Sequence, residues 1–174
     1  MTRCFFEIPN PSETFEAGIS LSDIGSSFRG EVVTKERYLA YENAFIDLIT
    51  AFMQLCSAKE TILYDLEKHF STNSPHITGL AAAHPDIFPN SILDLHRRST
   101  EGMHLNAAES TDMARLILRE LLWCRLISRE THFAISFEFD FRMNILSEAS
   151  EDDLQTIVKQ ANNHGIETLI QVCP

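Results

Sequence analysis

The chain has 174 residues, of which 44% are hydrophobic and 22% are charged, and this balance predicts one folded domain over residues 1–174. Its 14 Lys and Arg against 25 Asp and Glu give a net charge of −11, which disfavours direct binding to nucleic acids and to anionic membranes. Such a chain suits a basic protein partner, although solubility alone would also account for the acidity.

The sequence predicts a cytoplasmic protein. No run approaches the roughly 18 continuous apolar residues of a membrane span. Glu7 and Pro9 stand where a signal peptide would need its apolar run. None of the four cysteines forms a C-x-x-C pair, so we expect buried thiols rather than disulfides.

The first part of the chain predicts one short strand and then a long helix. Residues 3–8 favour a strand that Pro9 ends, and residues 9–33 are typical of a structured loop. Thr34 is suited to cap the first long helix. Apolar residues then recur at spacings of three and four, which places them on one side of that helix: Tyr38, Tyr41, Phe45, Leu48, Ile49, Phe52 and Leu55.

Shorter helices are predicted next. Residues 57–60 (Ser-Ala-Lys-Glu) match a capping box, which predicts a second helix running to about Phe70. Residues 71–90 contain three prolines and a glycine and predict a loop with at most one helical turn. Ser91 is suited to cap a brief helix that ends before Gly102.

A third main helix is predicted from Ser110 or Thr111 onwards, because either residue can cap it and Asp112 favours the positive end of the helix dipole. Its apolar stripe continues to residue 127: Met113, Leu116, Ile117, Leu121, Cys124 and Ile127. Further apolar residues widen the stripe, so we expect this helix to be packed on more than one side.

From residue 133 onwards, the spacing of the apolar residues changes to two. Seven apolar residues alternate with polar or small ones: Phe133, Ile135, Phe137, Phe139, Phe141, Met143 and Ile145. Because no turn residue interrupts them, the pattern predicts one long amphipathic strand over about residues 131–146 rather than a hairpin.

The C-terminal segment predicts a strand–helix–strand unit. Ser150 opens a helix that Gly165 ends, and residues 166–172 form a last strand. The connection is long enough for a crossover that leaves its two strands parallel. The predicted fold is therefore α+β, with a block of three main helices packed on a small sheet.

No motif predicts catalysis, a metal or a cofactor. The seven histidines form none of the short spacings that place two metal ligands on one face. The sequence contains neither a G-x-S-x-G nucleophile elbow nor a glycine-rich phosphate loop. Glu138 and Asp140 form a carboxylate pair that a small hydrolase could use together with His132, but the polar face of any solvated strand would look the same.

The polar face of the long strand, with the acidic turn after it, is the predicted partner-binding surface. Clustered carboxylates on a stiff strand steer a cationic partner and raise its association rate. The predicted binding residues are Ser136, Glu138, Asp140, Arg142, Asn144, Glu148, Glu151 and Asp152.

Two segments carry a resemblance to a known group of proteins. Residues 114–126 (ARLILRELLWCRL) followed by residues 133–145 (FAISFEFDFRMNI) resemble some bacterial immunity proteins, whose pattern is an "LREILW"-like helix followed by a strand similar to "VHFGYDYYMYI". These proteins are encoded beside polymorphic toxins of the contact-dependent-inhibition and Rhs type. The match covers about residues 113–146, and Glu138 replaces a glycine of the pattern.

The resemblance implies a non-enzymatic protein that binds one cognate toxin in the cytoplasm and covers its active site. The acidic composition suits a toxin that is a basic nuclease, because nucleases must approach phosphates. The alternative is an adaptor or oligomeric module whose helical block, residues 34–130, docks a partner or a second copy. The sequence leaves self-association open.

Overall fold

The computed structural model describes residues 2–7, 21, 24–25, 27–28, 31–138 and 142–172, and the statements below concern these residues. They fold into an α+β structure, as the sequence predicted. The elements in chain order are β1 (Thr2–Glu7), β2 (Ser27–Phe28), β3 (Glu31–Val32), α1 (Lys35–Leu55), β4 (Glu60–Lys68), α2 (Pro75–Ala83), α3 (Asn90–Arg98), β5 (His104–Asn106), α4 (Ala107–Leu118), β6 (Leu122–Ser128), β7 (Phe133–Glu138), β8 (Arg142–Ser147), α5 (Glu151–Asn163) and β9 (Glu167–Val172).

Seven of these strands form one sheet, which is larger than the small sheet expected. The strand order is β5-β4-β6-β7-β8-β1-β9, and every neighbouring pair is antiparallel. β8 and β9 are therefore parallel to each other, as predicted for the C-terminal unit, but β1 lies between them. Within the described part of the chain, no helix has the length and apolar character needed to cross a membrane.

One face of the sheet and the helices share the core. Alternate residues of the strands are buried on this face and form one cluster with the apolar sides of α1, α4 and α5. The strand residues of this cluster are Leu63, Leu105, Leu122, Cys124, Leu126, Phe133, Ile135, Phe137, Met143 and Ile145. The phenylalanines of α1, Phe45 and Phe52, are fully buried, so α1 does not present an exposed phenylalanine face to a partner.

The predicted single strand over residues 131–146 is wrong, because the chain forms the hairpin β7–β8. Glu138 is opposite Arg142, so the chain reverses between them. Residues 139–141, which include the predicted site residue Asp140, lie outside the described residues. The paired positions Phe137 and Met143 are both odd-numbered and both buried, so the reversal preserves the period-two pattern. An uninterrupted alternation of apolar and polar residues is therefore compatible with a single strand and with a hairpin.

The predicted second helix is also wrong, since residues 60–68 form strand β4. Ser57 ends α1 instead of starting a helix. It has a left-handed backbone with φ 53°, its amide donates to the Gln54 carbonyl, and the Ala58 amide donates to the Met53 carbonyl at 2.8 Å. This is the Schellman arrangement that terminates a helix.

The third predicted helix is shorter than expected and begins earlier. Asn106, rather than Ser110 or Thr111, caps α4 in a reciprocal capping box with Glu109. Glu120, with φ 58°, then ends the helix through the same Schellman arrangement, and the Leu121 amide donates to the Leu116 carbonyl. Residues 122–128 continue as strand β6, with alternate residues buried.

Several other elements are confirmed. β1 forms a strand, and Thr34 caps α1 by accepting a hydrogen bond from the Arg37 amide. α3 lies where the brief helix was predicted, and Ser150 and Gly165 bound α5. The nine-residue helix α2 replaces the predicted loop, because Ser74 caps it and Pro75 occupies its first position.

A buried ion pair joins the helical layer. The Glu42 and Arg119 side chains are 1% and 5% exposed. Arg119 Nε donates to Glu42 Oε2 at 2.8 Å and Nη2 donates to Oε1 at 2.6 Å, which makes the pair bidentate. Arg119 Nη1 donates to the Ile87 carbonyl at 2.7 Å, and the guanidinium lies over the Phe88 ring. The pair thus connects α1, the end of α4 and the segment between α2 and α3.

Removing one partner of this pair should destabilise the fold strongly. We expect Glu42→Gln to lower the free energy of unfolding by about 3–5 kcal/mol, because Arg119 would remain buried without a counter-charge. Chemical denaturation followed by circular dichroism measures this change. Arg125→Met, which breaks the exposed pair of Arg125 with Asp65, should cost at most about 1 kcal/mol. Similar losses in both variants would contradict a structural role for the buried pair.

The left-handed backbone of Ser57 predicts different effects for substitution by glycine and by alanine. Ser57→Gly should raise the free energy of unfolding by about 0.5–1 kcal/mol, since glycine adopts this conformation without strain. Ser57→Ala keeps the Cβ atom and should give no gain. Thermal unfolding of both variants tests this, and a destabilised glycine variant would instead support a helix starting at this residue.

Candidate functional site

The hairpin divides the predicted binding residues into two groups. Ser136 is opposite Asn144 and Glu138 is opposite Arg142, so these four lie together near the hairpin turn. Glu148 follows the other end of β8, about 20 Å from Arg142 at the usual rise per strand residue. Ser136 and Asn144 are half-buried, Arg142 is exposed, and Glu138 is described through its backbone.

Arg142 lies in a row of acidic positions that the sequence did not indicate. On its other side it is opposite Glu7, and Glu7 is opposite Glu167 on β9. Directly opposed residues share one face of a sheet, so the row Glu138–Arg142–Glu7–Glu167 crosses four strands on the face away from the helices. Arg142 therefore occupies the register position between two glutamates.

Glu148, at the opposite end of the hairpin, borders a cleft of about 300 Å³. The C-terminus of α1, the turn between β6 and β7, and the segment that enters α5 form its walls. The lining residues are Leu55, Cys56, Glu130, Thr131, His132, Glu148, Ala149 and Asp153. Of the predicted binding residues, Glu148 lines the cleft, Asp152 is exposed in the first turn of α5, and Glu151 is described through its backbone.

Local hydrogen bonds fix two of the cleft carboxylates. His132 has a left-handed backbone with φ 48° in the turn before β7, and its Nδ1 lies 2.8 Å from Glu148 Oε1. The Ser150 hydroxyl donates to Asp153 Oδ2 at 2.7 Å and accepts from the Asp153 amide. Glu130 and Asp152 are exposed. The lining of the cleft therefore contains three carboxylates, those of Glu130, Glu148 and Asp153.

Cys56 is not set up as a nucleophile. It is half-buried in the cleft, and burial raises the pKa of its thiol, while the nearby Ser147 hydroxyl opposes this shift by less. A reactive cysteine needs the opposite shift, toward the thiolate. Cys124, buried on β6, has its pKa raised by burial to about 12. Both cysteines are free thiols, in line with the expectation for these two residues.

The structure separates His132 from Glu138, two residues of the hydrolase alternative. His132 precedes β7 and Glu138 ends it, so they are about 20 Å apart along an extended strand. Asp140 lies outside the described residues. Within the described ranges no three His, Cys, Asp or Glu side chains are grouped so that they could hold a metal ion.

A buried histidine lies elsewhere in the helical layer. His96 is fully buried in α3, and its Nδ1 lies 2.7 Å from the Thr72 hydroxyl. Burial lowers the pKa of its imidazole, and the positive charges of Lys68 and Arg97 lower it further, whereas the Leu121 carbonyl opposes the shift. His96 is thus a neutral core residue that helps to fix the segment before α2.

Sequence reasoning missed the cleft because its walls come from distant parts of the chain. Glu130, His132 and Asp153 carry no motif, and the antiparallel return of β8 brings Glu148 to His132, 16 residues away along the chain. A detectable signal was the acidic density of residues 148–153, which the sequence predicted as a turn after the long strand.

Comparison of the chain with protein-family models, with curated proteins and with solved structures gives no match. The geometry of the cleft and the charge of the chain are therefore the basis for the functional proposal below.

Because burial raises the pKa of Cys56, its alkylation should be slow at neutral pH. At pH 7 the raised pKa leaves a smaller thiolate fraction than in the unfolded chain, so iodoacetamide should label Cys56 several-fold more slowly when the protein is folded. The rate should continue to rise at pH values where an ordinary cysteine is already fully ionised. Mass spectrometry of the Cys56 peptide measures both rates, and faster labelling in the folded protein would contradict the assignment.

Proposed function

We propose that the protein is an immunity protein that acts in the cytoplasm by binding a basic cognate toxin and covering its active site. In this proposal the protein works by binding and not by turnover. The observation that carries it is the concentration of exposed carboxylates that line a concave surface: Glu130, Glu148 and Asp153. Among the lining residues described, His132 alone can carry positive charge, and it is paired with Glu148.

A negative cleft is suited to capture cationic side chains. Field lines concentrate in a cleft of one charge, which raises the local concentration and the association rate of an oppositely charged partner. Arg and Lys side chains of a toxin can enter a cleft of about 300 Å³, and arginine can form paired hydrogen bonds with a carboxylate. A nuclease active site is rich in such cations because it binds phosphates.

Two further observations support the proposal. The net charge of −11 adds a long-range attraction for a basic protein to the local field of the cleft. The resemblance of residues 113–146 to toxin-associated immunity proteins points to the same class of partner. Glu138 and Arg142, which are paired at the other end of the hairpin, are then about 20 Å from the cleft.

Co-expression with the toxic domain encoded by the adjacent gene tests the proposal. We expect a complex that survives purification, restored growth, and an association rate that falls as salt is added, because salt screens charge steering. Failure to form a complex together with failure to restore growth would contradict the proposed function.

Charge reversal in the cleft should weaken this complex selectively. Glu148→Lys should slow association by roughly tenfold at low salt, because it places a cation in the cleft and removes the partner of His132. Glu67→Lys makes the same change in net charge on β4, which β6 and β7 separate from β8, and should alter the rate by no more than about twofold. Stopped-flow or surface plasmon resonance measures both rates. Equal effects would indicate that net charge alone, and not the cleft, directs binding.

A further inference from the structure

The two edges of the seven-stranded sheet differ in a way that points to a partner. One edge strand, β5, has three residues, and natural sheets often protect an edge by keeping it this short. The other edge strand, β9, has six residues and keeps a continuous register with β1 from residue 167 to residue 172. Its sequence, Glu-Thr-Leu-Ile-Gln-Val, contains no proline, lysine or glycine that would discourage pairing.

An exposed leucine lies in the middle of this edge. Leu169 is 65% exposed, more than the other exposed large hydrophobic residues of the described chain, Val32 and Leu55. It is on the face away from the helices, because its neighbour Ile170 packs against the core on the other face. A six-residue edge that pairs with no further strand among the described residues, and that carries a central apolar side chain, is a template for another strand.

We propose that β9 pairs with β9 of a second copy of the chain, antiparallel, about a two-fold axis through Leu169. In this register Leu169 is opposite its own copy. Glu167 then takes the register position opposite Gln171, and Thr168 takes the position opposite Ile170 on the helix side. No like charges are directly opposed, and the two sheets join into one.

The pleat of the strand excludes the neighbouring register. Shifting the copies by one residue would place Leu169 opposite Ile170, which lies on the other face of the sheet. Shifting them by two residues would place Leu169 opposite Gln171 and leave the apolar side chain against an amide. The register centred on Leu169 is the one that pairs the exposed leucine with an apolar partner.

The composition of β9 favours a second copy over a basic partner strand. Glu167 is the one charged residue among its six, so a cation-rich strand would gain little from pairing there. The two copies each carry a charge of −11, and salt screens this repulsion over about 8 Å at physiological ionic strength. The dimer should therefore tighten as salt is added, the opposite of the salt dependence expected at the acidic cleft. The inference does not depend on the proposed function.

Light scattering and analytical ultracentrifugation of the purified chain over a wide range of concentrations test the proposal. The wild-type protein should approach twice the mass of one chain. Leu169→Lys should raise the dimer dissociation constant at least about tenfold, since two lysines would face each other on the axis. Val32→Lys, at a site 53% exposed on β3, is the matched control and should leave the dimer unchanged.

A cross-link tests the register even where a lysine variant fails to fold. In a Cys173→Ser background, Leu169→Cys should form an intermolecular disulfide on mild oxidation, because directly opposed residues have Cβ atoms about 5 Å apart. Val32→Cys should not cross-link. A wild-type chain that stays monomeric at all concentrations, a dimer that Leu169→Lys does not weaken, or equal cross-linking of the two cysteine variants would overturn the proposal.

Discussion

The bidentate contact between Arg119 and Glu42 is the interaction on which the helical layer depends. Burying either ion alone costs several kcal/mol, so the pair is stable because the geometry satisfies both side chains. Tyr38 donates to Glu42 Oε2 at 3.2 Å, and burial, followed by the Glu42 charge, raises the pKa of its hydroxyl well above the usual range. The phenol therefore stays a neutral donor to the carboxylate.

The Arg119–Glu42 contact also bears on the acidic cleft, because it helps to fix the position of α1. α1 carries Glu42 near its middle and ends at Leu55 and Cys56, which form one wall of the cleft. α5 packs against α1 and carries Asp153 on another wall. The carboxylates themselves come from the β6–β7 turn and from the segment that enters α5. The cleft is a consequence of the packing, and its charge comes from short turns between elements.

Sequence patterns predicted a helix end correctly where a residue typical of helix ends, such as glycine, is present. Gly165 ends α5 with φ 70°, and glycine at this position is a recognisable stop. Ser57 and Glu120 stop α1 and α4 in the same way without being glycine, so nothing in the sequence marked those two ends. Each is followed by a strand, β4 or β6, and these are the two strands that were taken for helix.

The other differences between the predicted and the observed structure also have physical causes. Residues 121–127 satisfy a spacing of three through Leu121, Cys124 and Ile127, but they also satisfy a spacing of two, and packing decides in favour of β6. The β7–β8 reversal keeps odd-numbered residues on the buried face, which hid the turn. The ion pair was invisible because 77 residues separate Glu42 from Arg119 along the chain. Of the residues that line the cleft, the sequence singled out Glu148 alone as a binding residue. Acidic density is visible in a sequence, whereas the residues that pack around it in three dimensions are not.

Native-state hydrogen exchange tests most directly whether this ion pair unites the helical layer. Amides in the middle of α1, in the last turns of α4 and at Ile87 and Phe88 should exchange together, with a free energy close to that of global unfolding. This is expected because Arg119 connects all three segments. If residues 87–88 exchanged through local opening while α1 and α4 stayed protected, the central role assigned to the Arg119–Glu42 contact would be contradicted.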